Sequence, residues 1–402
     1  MRILFLSETF YPHGGGAELA TYLYARLLKE EGFNVTVVTN RFVEERQISN
    51  EQGITVFRLP LMGNAGSLKY SILSRPDVLV SSFIRKLVKS VDIVYIPRFW
   101  YSSSLLARAC RKPVITHLHD YMPVCPLSNL HDTHKGDICF NKNNLLCSSK
   151  CIYAFERGQS RSQLETMGSV ALNMTVGRGL GKLVALSDAI ICVSNAHKNL
   201  IAARAPHLQS KMHLLYNPLP NVSYLESRGR DFGYFGGPSR MKGFEILYKA
   251  ILRVKNSRIR VHATKFSESA RSCFQSLIGQ FLFYDKAPPP LFERIWKEVR
   301  AIVVPSVWQE PLPYIVSEAL LRGRLVIASI MGGIPEQLEG TEGNLLCDSG
   351  DFQQFANSMD YVSELDDERI AEFGWHNRER VLRRFDNGTI VKEFVRICDK
   401  VV

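Results

Sequence analysis

Residues 310–318 read Glu310-Pro-Leu-Pro-Tyr-Ile-Val-Ser-Glu318 and lie between two short apolar runs, Ala301 to Pro305 and Leu325 to Ser329. Short apolar runs on either side of a helical pattern are typical of buried parallel strands. The stretch therefore predicts strand, loop, helix and strand, with the loop at the carboxyl edge of a parallel sheet. The first glutamate lies in that loop and the second about one and a half turns into the helix, so both carboxylates line a crevice that the helix N-terminus faces.

The rest of the chain repeats this alternation of strands and helices, which is the element order of a doubly wound α/β fold. The strands predicted in the first half are Arg2 to Ser7, Asn34 to Thr39, Ile54 to Arg58, Asp92 to Ile96, Pro113 to Leu118, Ala189 to Val193 and Met212 to Tyr216. Those predicted in the second half are Asp231 to Gly236, Arg258 to Ala263, Ala301 to Pro305, Leu325 to Ser329 and Asn344 to Cys347. We therefore expect two Rossmann-like domains, residues 1–225 and 226–386, followed by a helix over 387–402.

Three further elements accompany the glutamate pair, namely Gly332-Gly-Ile-Pro-Glu336, Gly343-Asn-Leu-Leu346 and Asp348. Together they resemble the signature of the family 4 retaining glycosyltransferases (glycosyl transferases group 1), and the similarity extends from Met1 to the last helix. The resemblance implies the GT-B fold, in which two Rossmann-like domains face a cleft and the last helix returns to the first domain. It also implies an enzyme of the hexosyltransferase type, which moves a sugar with retention from a nucleotide-diphosphate sugar to a lipid-linked, polysaccharide or glycan acceptor.

The resemblance assigns roles to the glutamate segment. It implies that Glu310 accepts hydrogen bonds from the sugar hydroxyls and stabilises an oxocarbenium-like transition state. It implies that Glu318 holds the two ribose hydroxyls of the donor. The backbone N–H groups expected to meet the diphosphate or the sugar belong to Leu312, Tyr314 and Ile315. Pro313 departs from the family pattern, in which glycine is common at this place, and the departure concerns the shape of the loop rather than the carboxylate spacing.

A second phosphate-binding pattern, Gly236-Gly-Pro-Ser-Arg-Met-Lys-Gly243, follows a predicted strand and precedes a helix. Lys242 supplies a point charge and Arg240 a fork of donors, and both suit the charge that grows on a departing nucleoside diphosphate. No metal or other cofactor is required for the chemistry if these cations suffice. Basic residues at a helix start are also commonly just solvated. Many family members carry arginine where Gly237 stands here, so Lys242 is the firmer of the two assignments.

The first domain carries Pro12-His-Gly-Gly-Gly16-Ala-Glu18 between its first strand and first helix. Glycines let backbone N–H groups approach a ligand closely, and the helix dipole favours a phosphate or carboxylate there. The spacing is not that of a dinucleotide-binding loop, and a tight strand-to-helix turn alone also explains it. The resemblance implies that Gly15 and Gly16 face the donor phosphates or the acceptor.

His119-Asp120 ends the predicted strand Pro113 to Leu118. A lone histidine at a strand end is more often structural than catalytic, and His117 shares its face if the strand continues. The resemblance favours function: it implies that His119 contacts the transferred sugar and that Asp120 holds it. His119 need not act as a general base, because the leaving phosphate can accept the proton of the acceptor.

Basic residues exceed acidic ones, with 50 Lys and Arg against 39 Asp and Glu and a formal net charge of +11. The excess is concentrated between Gly63 and Thr116, where the basic residues are Lys69, Arg75, Arg85, Lys86, Lys89, Arg98, Arg108, Arg111 and Lys112. Such a surface attracts an anionic membrane, a pyrophosphate-linked lipid acceptor or nucleic acid. No nucleic-acid module is present. The segment Phe83 to Lys89 fits either a membrane-surface helix or, more simply, a solvated helix face.

No apolar stretch approaches the roughly 20 residues of a membrane span, and the short run after Met1 is interrupted by Glu8, unlike a signal peptide. We therefore expect a cytoplasmic protein that associates with the membrane at most peripherally.

An insert over residues 121–153 carries four of the nine cysteines, and His131 and His134 lie among them. In a cytoplasmic chain, cysteines are thiols or metal ligands rather than a disulfide framework. Spacing and number allow a structural zinc site, but scattered buried thiols are the favoured interpretation, and a disulfide or an iron cluster is less favoured than either. The candidate ligands are Cys125, Cys139, Cys147 and Cys151. Because the insert follows His119, we expect it to form a lid over the acceptor side.

Two other functions remain open from the sequence. A nucleotide-sugar epimerase of similar double-Rossmann build would use the same donor residues without an acceptor surface. A non-catalytic subunit would bind the nucleotide sugar and stabilise a partner, although the presence of His119, Lys242, Glu310 and Glu318 argues against it.

Overall fold

The computed structural model describes residues 1–42, 45–60, 76–133, 137–139, 145–158, 162–226, 229–272 and 280–402. The chain forms two compact units, Met1–Pro218 together with Asn387–Val402, and Leu219–Asp386. Each unit is built on its own largely parallel sheet, of eight strands in the first and six in the second. The predicted fold class, α/β with two Rossmann-like parallel sheets, is confirmed.

The strands of the first unit are β1 Arg2–Leu6, β2 Asn34–Arg41, β3 Ile48–Glu51, β4 Ile54–Pro60, β5 Ile93–Ile96, β6 Val114–Leu118, β7 His131–Asp132, β8 Asp137–Ile138, β9 Ala189–Cys192 and β10 Met212–Leu214. The main sheet has the order β10-β9-β6-β5-β1-β2-β4-β3, and β7 pairs with β8 in a separate ribbon. Neighbours in the main sheet are parallel except for β3 and β4, which form an antiparallel pair. Because β2 and β5 flank β1, the order reverses there, and such a switch point opens a crevice at the carboxyl ends of the strands.

Helices cover this first sheet. They are α1 Gly16–Glu30, α2 Pro76–Val80, α3 Ser82–Ser90, α4 Ser103–Ala109, α5 Leu145–Arg157, α6 Gln163–Leu172, α7 Arg178–Leu183 and α8 Asn195–Arg204. A π-helical turn, Asn173–Gly177, joins α6 to α7. The C-terminal helix of the chain, Asn387–Val401, also belongs to this unit. Its Phe394 ring lies 5.3 Å from the rings of Tyr24 and Tyr95, so it packs on α1 and β5.

Helix α3 contains the predicted amphipathic segment Phe83 to Lys89. Ile84 and Val88 are fully buried, and the exposed basic residues are Arg85, Lys86 and Lys89. The apolar side thus packs within the unit and the basic side faces solvent. Lys69 and Arg75, which were counted in the basic stretch, lie outside the described residues. In the described ranges, no helix has both the length and the apolar character needed to cross a membrane.

The second unit has strands β11 Asp231–Tyr234, β12 Val261–Thr264, β13 Phe281–Tyr284, β14 Val299–Val304, β15 Leu325–Ser329 and β16 Leu345–Cys347. Its helices are α9 Phe244–Ile251, α10 Glu268–Ser272, α11 Pro289–Glu298, α12 Tyr314–Leu321, α13 Ile334–Leu338, α14 Phe352–Glu364 and α15 Asp367–Arg384, and the C-terminal helix of the first unit becomes α16. All strand pairs are parallel, in the order β13-β12-β11-β14-β15-β16. The order reverses at β11, so the switch point lies between β11 and β14.

The segment 219–225 belongs with the second unit, whereas the sequence analysis placed it at the end of the first domain. Leu225 donates its N–H to the carbonyl of Arg322 at 3.1 Å. Arg324, which is fully buried, donates from Nη1 to the carbonyl of Leu225 at 2.9 Å. These bonds tie the segment to the end of α12 and the start of β15.

Candidate functional site

The second unit brings Lys242 and Glu310 together at its switch point. Lys242 follows β11 and Glu310 follows β14, and the two strands are neighbours in the sheet. Nζ of Lys242 lies 2.7 Å from Oε1 of Glu310. The lysine side chain is 40% exposed and the glutamate side chain 4% exposed. The pair therefore has its carboxylate inside the unit and its ammonium group open to a ligand.

Glu310 Oε1 receives two further hydrogen bonds. Ser306 Oγ donates at 2.7 Å and Trp308 Nε1 at 2.8 Å. The Trp308 ring also lies 5.0 Å from Lys242 Nζ, so the indole contacts both members of the pair. Since all three donors share Oε1, Oε2 has no hydrogen-bond partner in the described part of the chain. Oε2 is the oxygen available to a ligand hydroxyl, which would form a charge-assisted hydrogen bond there.

Two glycines allow the loops of this site to approach each other. Gly243 has φ +78°, and a Cβ there would lie 1.7 Å from the carbonyl oxygen of Pro305. Gly332 has φ +55°, and a Cβ there would lie 2.0 Å from the carbonyl oxygen of Glu310. Gly333 donates its N–H to that same oxygen at 2.8 Å. The Gly332-Gly333 pair thus fixes the backbone of Glu310, and no residue with a side chain fits at Gly332.

Glu318 lies on α12, on the same strand-to-helix connection as Glu310. Burial raises the pKa of its carboxyl to about 7, an effect that the nearby Arg322 opposes and Glu293 strengthens. Arg322 is itself engaged by Glu293 in two hydrogen bonds of 2.7 and 2.9 Å. The described residues offer the Glu318 side chain no hydrogen bond or ion pair. Glu318 is therefore an uncommitted carboxyl that ionises near neutral pH.

The other donor-binding residues predicted in the second unit lie on the same two loops, whereas Gly15 and Gly16, also predicted to bind the donor, lie in the first unit. Arg240 is exposed, its guanidinium has no partner among the residues the structure describes, and its carbonyl accepts the N–H of Gly243 at 2.9 Å. The residues predicted to offer backbone N–H groups lie just before and at the start of α12, with Leu312 and Tyr314 buried and Ile315 half-buried. The structure thus gathers the donor residues predicted in the second unit after β11 and β14. Sequence reasoning missed Ser306 and Trp308, whose position inside the loop before Glu310 was the available signal.

At the switch point of the first sheet, three carboxylates surround Arg98. Glu18 Oε1 accepts a hydrogen bond from Nη1 of Arg98 at 2.5 Å. Oε1 of Glu8 and Oδ2 of Asp120 each lie 3.7 Å from Nε of Arg98. The three acidic residues are buried, while the arginine side chain is 29% exposed. We call these four residues the Arg98 cluster.

The sequence analysis counted Arg98 among the residues of a basic surface, whereas its charge is met by three carboxylates, and it gave Glu8 no part in a site. A charged residue shortly after each of two apolar strands, β1 and β5, was the signal that could have identified them. Burial raises the pKa of Glu8 to about 8, although Arg98 opposes the rise. Burial also raises the pKa of Asp120, again against Arg98. Glu8 therefore keeps its proton at neutral pH.

The glycine-rich loop before α1 is organised around Glu18. The N–H of Gly15 donates to Oε2 of Glu18 at 2.6 Å. Gly14 has φ +104°, and a Cβ there would lie 2.4 Å from Cγ of Glu18. Gly15 and Gly16 are exposed at the helix start. The sequence predicted that the N-terminus of α1 binds an anion of the ligand. In the structure, the Glu18 carboxylate caps this N-terminus.

His119 follows β6 and is half-buried. Burial lowers its pKa to about 3, and Arg98 and His197 act in the same direction, so the imidazole is neutral. Its ring stacks on His117 at 4.3 Å, and its Nε2 has no hydrogen-bond partner among the described residues. Asp120, expected to hold His119, makes no hydrogen bond to it within that part of the chain. Asp120 Oδ1 accepts the N–H of Met122 at 2.8 Å, and its other oxygen faces Arg98.

The cysteine insert is described only in part. The predicted zinc ligands are Cys125, Cys139, Cys147 and Cys151. The thiol of Cys151 donates to the carbonyl of His131 at 3.4 Å. The side chain of Cys147 and all of His134 lie outside the described residues. Within the residues that are described, no three potential ligands gather around a common point, and the zinc site stays a prediction.

Comparison with known proteins gives matches over both units. The model of Glycosyltransferase Family 4 matches residues 14–220, and that of Glycosyl transferases group 1 matches residues 229–364. An uncharacterised 42.6 kDa protein in the cps region of Klebsiella pneumoniae is 22% identical over 348 residues, which are 84% of this chain and 87% of that protein. Alpha-maltose-1-phosphate synthase of Mycolicibacterium smegmatis is 27% identical over 250 residues, 54% of this chain and 64% of the synthase.

Among solved structures, Anabaena HepE in complex with UDP-glucose superposes with a TM-score of 0.67 over 100% of both chains, at 16% sequence identity. A likeness at this identity shows a shared fold.

Proposed function

We propose that this chain, a member of glycosyltransferase family 4, transfers a hexose from a uridine diphosphate sugar to an acceptor from which a polysaccharide is built. It is a retaining enzyme of the GT-B fold that uses a nucleotide-sugar donor. The observation that carries the proposal is the Lys242–Glu310 pair at the switch point of the second unit. An exposed cation and a buried carboxylate with one free oxygen are the two groups that transfer from a nucleotide sugar needs in one place.

In the reaction, the bond between the anomeric carbon and the phosphate oxygen breaks, and its electron pair goes to the nucleoside diphosphate. We propose that Lys242 stabilises the negative charge that develops on this leaving group, with Arg240 as a second cation. These two residues supply the positive charge that the step requires. The acceptor oxygen bonds to the anomeric carbon on the face that the leaving group vacates, and the departing phosphate accepts its proton.

Glu310 acts on the sugar. Its Oε1 is saturated by Lys242, Ser306 and Trp308, so Oε2 accepts the hydrogen bond from a sugar hydroxyl. A carboxylate this close to the reacting ring stabilises the positive charge of an oxocarbenium-like transition state. The three donors to Oε1 fix the orientation of the carboxylate before the donor binds, which lowers the reorganisation needed during the reaction.

We propose that α12 binds the nucleotide part of the donor. Glu318 has no competing partner within the described residues and is proposed to accept hydrogen bonds from the two ribose hydroxyls. The N–H groups at the start of α12 and in the loop before it are proposed to bind the diphosphate, and the helix dipole favours that negative charge. The residues concerned are Leu312, Tyr314 and Ile315.

In the first unit, His119 is proposed to contact a sugar hydroxyl. Its imidazole is neutral, and its Nε2 has no hydrogen-bond partner in the described part of the chain. A neutral imidazole suits a hydroxyl better than a phosphate. Gly15 and Gly16 are proposed to lie beside the ligand rather than to bind a phosphate, because the N–H of Gly15 is already bonded to Glu18.

The uridine base and the polysaccharide acceptor are supported by relatives. A structural neighbour of the whole chain was solved with UDP-glucose. The Klebsiella relative, which covers most of this chain, lies in a cps region. A lipid-linked precursor of such a polymer is the acceptor form we propose. The exposed basic face of α3, with Arg85, Lys86 and Lys89, supports contact with an anionic membrane that would hold this precursor.

The test is incubation of the purified protein with UDP-glucose, UDP-galactose or UDP-N-acetylglucosamine and a lipid extract or polysaccharide. Product is followed by mass spectrometry and its anomeric configuration by NMR. Transfer with retention is expected, and Glu310→Gln should abolish it while Glu339→Gln, at an exposed site in the same unit, should not. Conversion of the free nucleotide sugar without acceptor would indicate an epimerase. Tight UDP binding with no product from any acceptor would indicate a non-catalytic subunit.

A further inference from the structure

We propose that Arg98 binds a hydroxyl group of the acceptor and that the carboxylates around it make the first unit select a neutral sugar over an anionic one. The inference rests on the proposed transfer function and adds to it the chemical class of the acceptor. Arg98, Glu8 and Asp120 follow β5, β1 and β6, and the order β6-β5-β1 makes these strands neighbours. Ligands of α/β sheets bind at this carboxyl edge beside the switch point.

Unsatisfied polar atoms concentrate at this place. Four have no hydrogen-bond partner among the described residues, namely Glu8 Oε2, Arg98 Nε, Asp120 Oδ2 and His119 Nε2. Most buried polar atoms in proteins are hydrogen-bonded, and an exception is costly. Glu8 and Asp120 are only 2% and 5% exposed, so bulk water does not compensate them. The atoms comprise acceptors and a donor around one guanidinium, which matches a group that both donates and accepts.

The charge of the Arg98 cluster determines which kind of ligand group it can bind. Three carboxyls face one guanidinium, and the neighbouring His119 is neutral. Even with Glu8 protonated, the cluster is not positive, so a phosphate or uronate is not attracted to it. The guanidinium already occupies the centre where a metal cation would lie. A sugar hydroxyl satisfies the site, because it donates to a carboxylate and accepts from arginine.

Arg98 is held in place for this contact. Its Nη1 is bonded to Glu18, which in turn receives the N–H of Gly15. On another side its guanidinium lies 4.2 Å from the ring centre of Phe99. Phe99 has φ +42°, a left-handed backbone that is unusual for a phenylalanine and aims its ring at the neighbouring side chain. The planar guanidinium is therefore fixed between a carboxylate and an aromatic ring while 29% of the side chain stays exposed.

The experiment compares the binding of neutral sugars with that of uronides that have the same ring configuration. Binding of the methyl glycosides of glucose, galactose and mannose, and of methyl glucuronide and galacturonide, is measured by saturation-transfer NMR and titration with UDP present in excess. We expect at least one neutral glycoside to bind at least tenfold more tightly than its uronide. Arg98→Gln should weaken that binding by tenfold or more. Arg396→Gln, which changes an arginine of the same unit whose side chain is 72% exposed, is the matched control and should bind as wild type.

A second variant keeps the test sharp if Arg98→Gln folds poorly by circular dichroism. Asp120→Asn retains an oxygen to accept the N–H of Met122 and removes one negative charge at the position of Oδ2, which lies 3.7 Å from Arg98 Nε, so it should reduce the preference for the neutral sugar several-fold. Uronide binding as tight as that of the neutral glycosides, or no glycoside binding at all, would overturn the inference. Unchanged binding in a folded Arg98→Gln would overturn it as well. Failure to bind UDP or to transfer sugar would count instead against the proposed function.

Discussion

Lys242 and Glu310 are 68 positions apart in the chain, and their side chains meet at 2.7 Å. The contact exists because β11 and β14, which precede the two residues, are adjacent parallel strands. Their carboxyl ends therefore deliver both loops to one edge of the sheet. Around this pair, Ser306 and Trp308 fix one carboxylate oxygen, and the other has no hydrogen-bond partner among the described residues. The second unit thus presents a prearranged cation and carboxylate.

Replacing Lys242 by methionine tests the role of the cation. The substitution keeps a chain of similar length and removes the ammonium group. We expect kcat for sugar transfer to fall about 10²–10³-fold, because the departing diphosphate loses its counter-charge. The fold should persist, since Ser306 and Trp308 still satisfy Glu310. Steady-state transfer assays measure the effect, with Lys249→Met on the exposed side of α9 as the control. A wild-type kcat in Lys242→Met would refute the assignment.

Gly332→Ala tests the approach of the glycine turn to Glu310. The new Cβ would lie 2.0 Å from the carbonyl oxygen of Glu310, at a backbone with φ +55°. Gly350→Ala is a matched control, because Gly350 also has a positive φ, of +90°, but no described residue lies within 4 Å of its added Cβ. The control should lose about 1–2 kcal/mol of unfolding free energy for the backbone alone. Gly332→Ala should lose about 1–3 kcal/mol more through the clash. Urea unfolding provides the measurement, and equal losses would contradict the structure.

Glu8→Gln tests the protonation of the Arg98 cluster. In the folded protein Glu8 keeps its proton up to a pKa of about 8, whereas the ordinary pKa of a glutamate side chain is 4.5. Between these values the folded state holds the extra proton, so the free energy of unfolding falls as pH rises through the window and levels off above it. The slope for one group is at most about 1.4 kcal/mol per pH unit. Glutamine does not titrate, and the variant should therefore gain stability relative to wild type as pH rises from 5 to 8.

Urea unfolding at several pH values measures this difference, and groups common to both proteins cancel in it. Glu31→Gln, at an exposed site on the same unit, should track the wild type. If the difference between Glu8→Gln and wild type stays constant from pH 5 to 8, Glu8 is not the protonated group.

Glu318 makes donor binding depend on pH. Burial raises its pKa to about 7, so it is mostly protonated at pH 6 and mostly ionised at pH 8. If the carboxylate accepts the ribose hydroxyls, the affinity for UDP-glucose should rise over this range, by up to about tenfold. We choose UDP-glucose rather than UDP as the ligand for this experiment, because the phosphates of UDP-glucose do not titrate between pH 6 and 8. Glu318→Gln should bind more weakly and with no such trend. Calorimetric titration at pH 6, 7 and 8 measures the affinity of both proteins. If Glu318→Gln keeps the pH trend, the trend belongs to another group.

The neighbourhood of the glutamate pair was predicted closely from the sequence. The apolar runs Ala301 to Pro305 and Leu325 to Ser329 correspond to β14 and β15, and Tyr314 to Leu321 forms the helix between them. Central parallel strands are buried on both faces, so they appear in the sequence as continuous apolar runs. Two edge strands were missed, Ile48–Glu51 and Phe281–Tyr284. The first reads Ile-Ser-Asn-Glu and has no apolar run, whereas the second is an apolar run of only four residues, Phe-Leu-Phe-Tyr.

The site itself was predicted unevenly. Glu310, Glu318 and Lys242 were predicted as site residues because each belongs to a short spaced motif. Glu8 and Arg98 were not, since each stands alone in the sequence and their cluster forms only when β1, β5 and β6 lie side by side. The partner of Gly15 was likewise unexpected, although Glu18 is only three residues away.

The amino-acid order alone thus established most of the element sequence, the two parallel sheets, the spacing of the glutamates and the glycines of the turns. These properties depend on local periodicity and short motifs, which are present in the sequence whether or not the chain is folded. Packing established the rest: the Lys242–Glu310 contact, the carboxylates around Arg98 and the shifted pKa values of Glu8, His119 and Glu318. Such properties depend on burial and on neighbours from distant strands, such as Arg98 and Glu18, which are 80 positions apart, and they arise only when the sheets assemble.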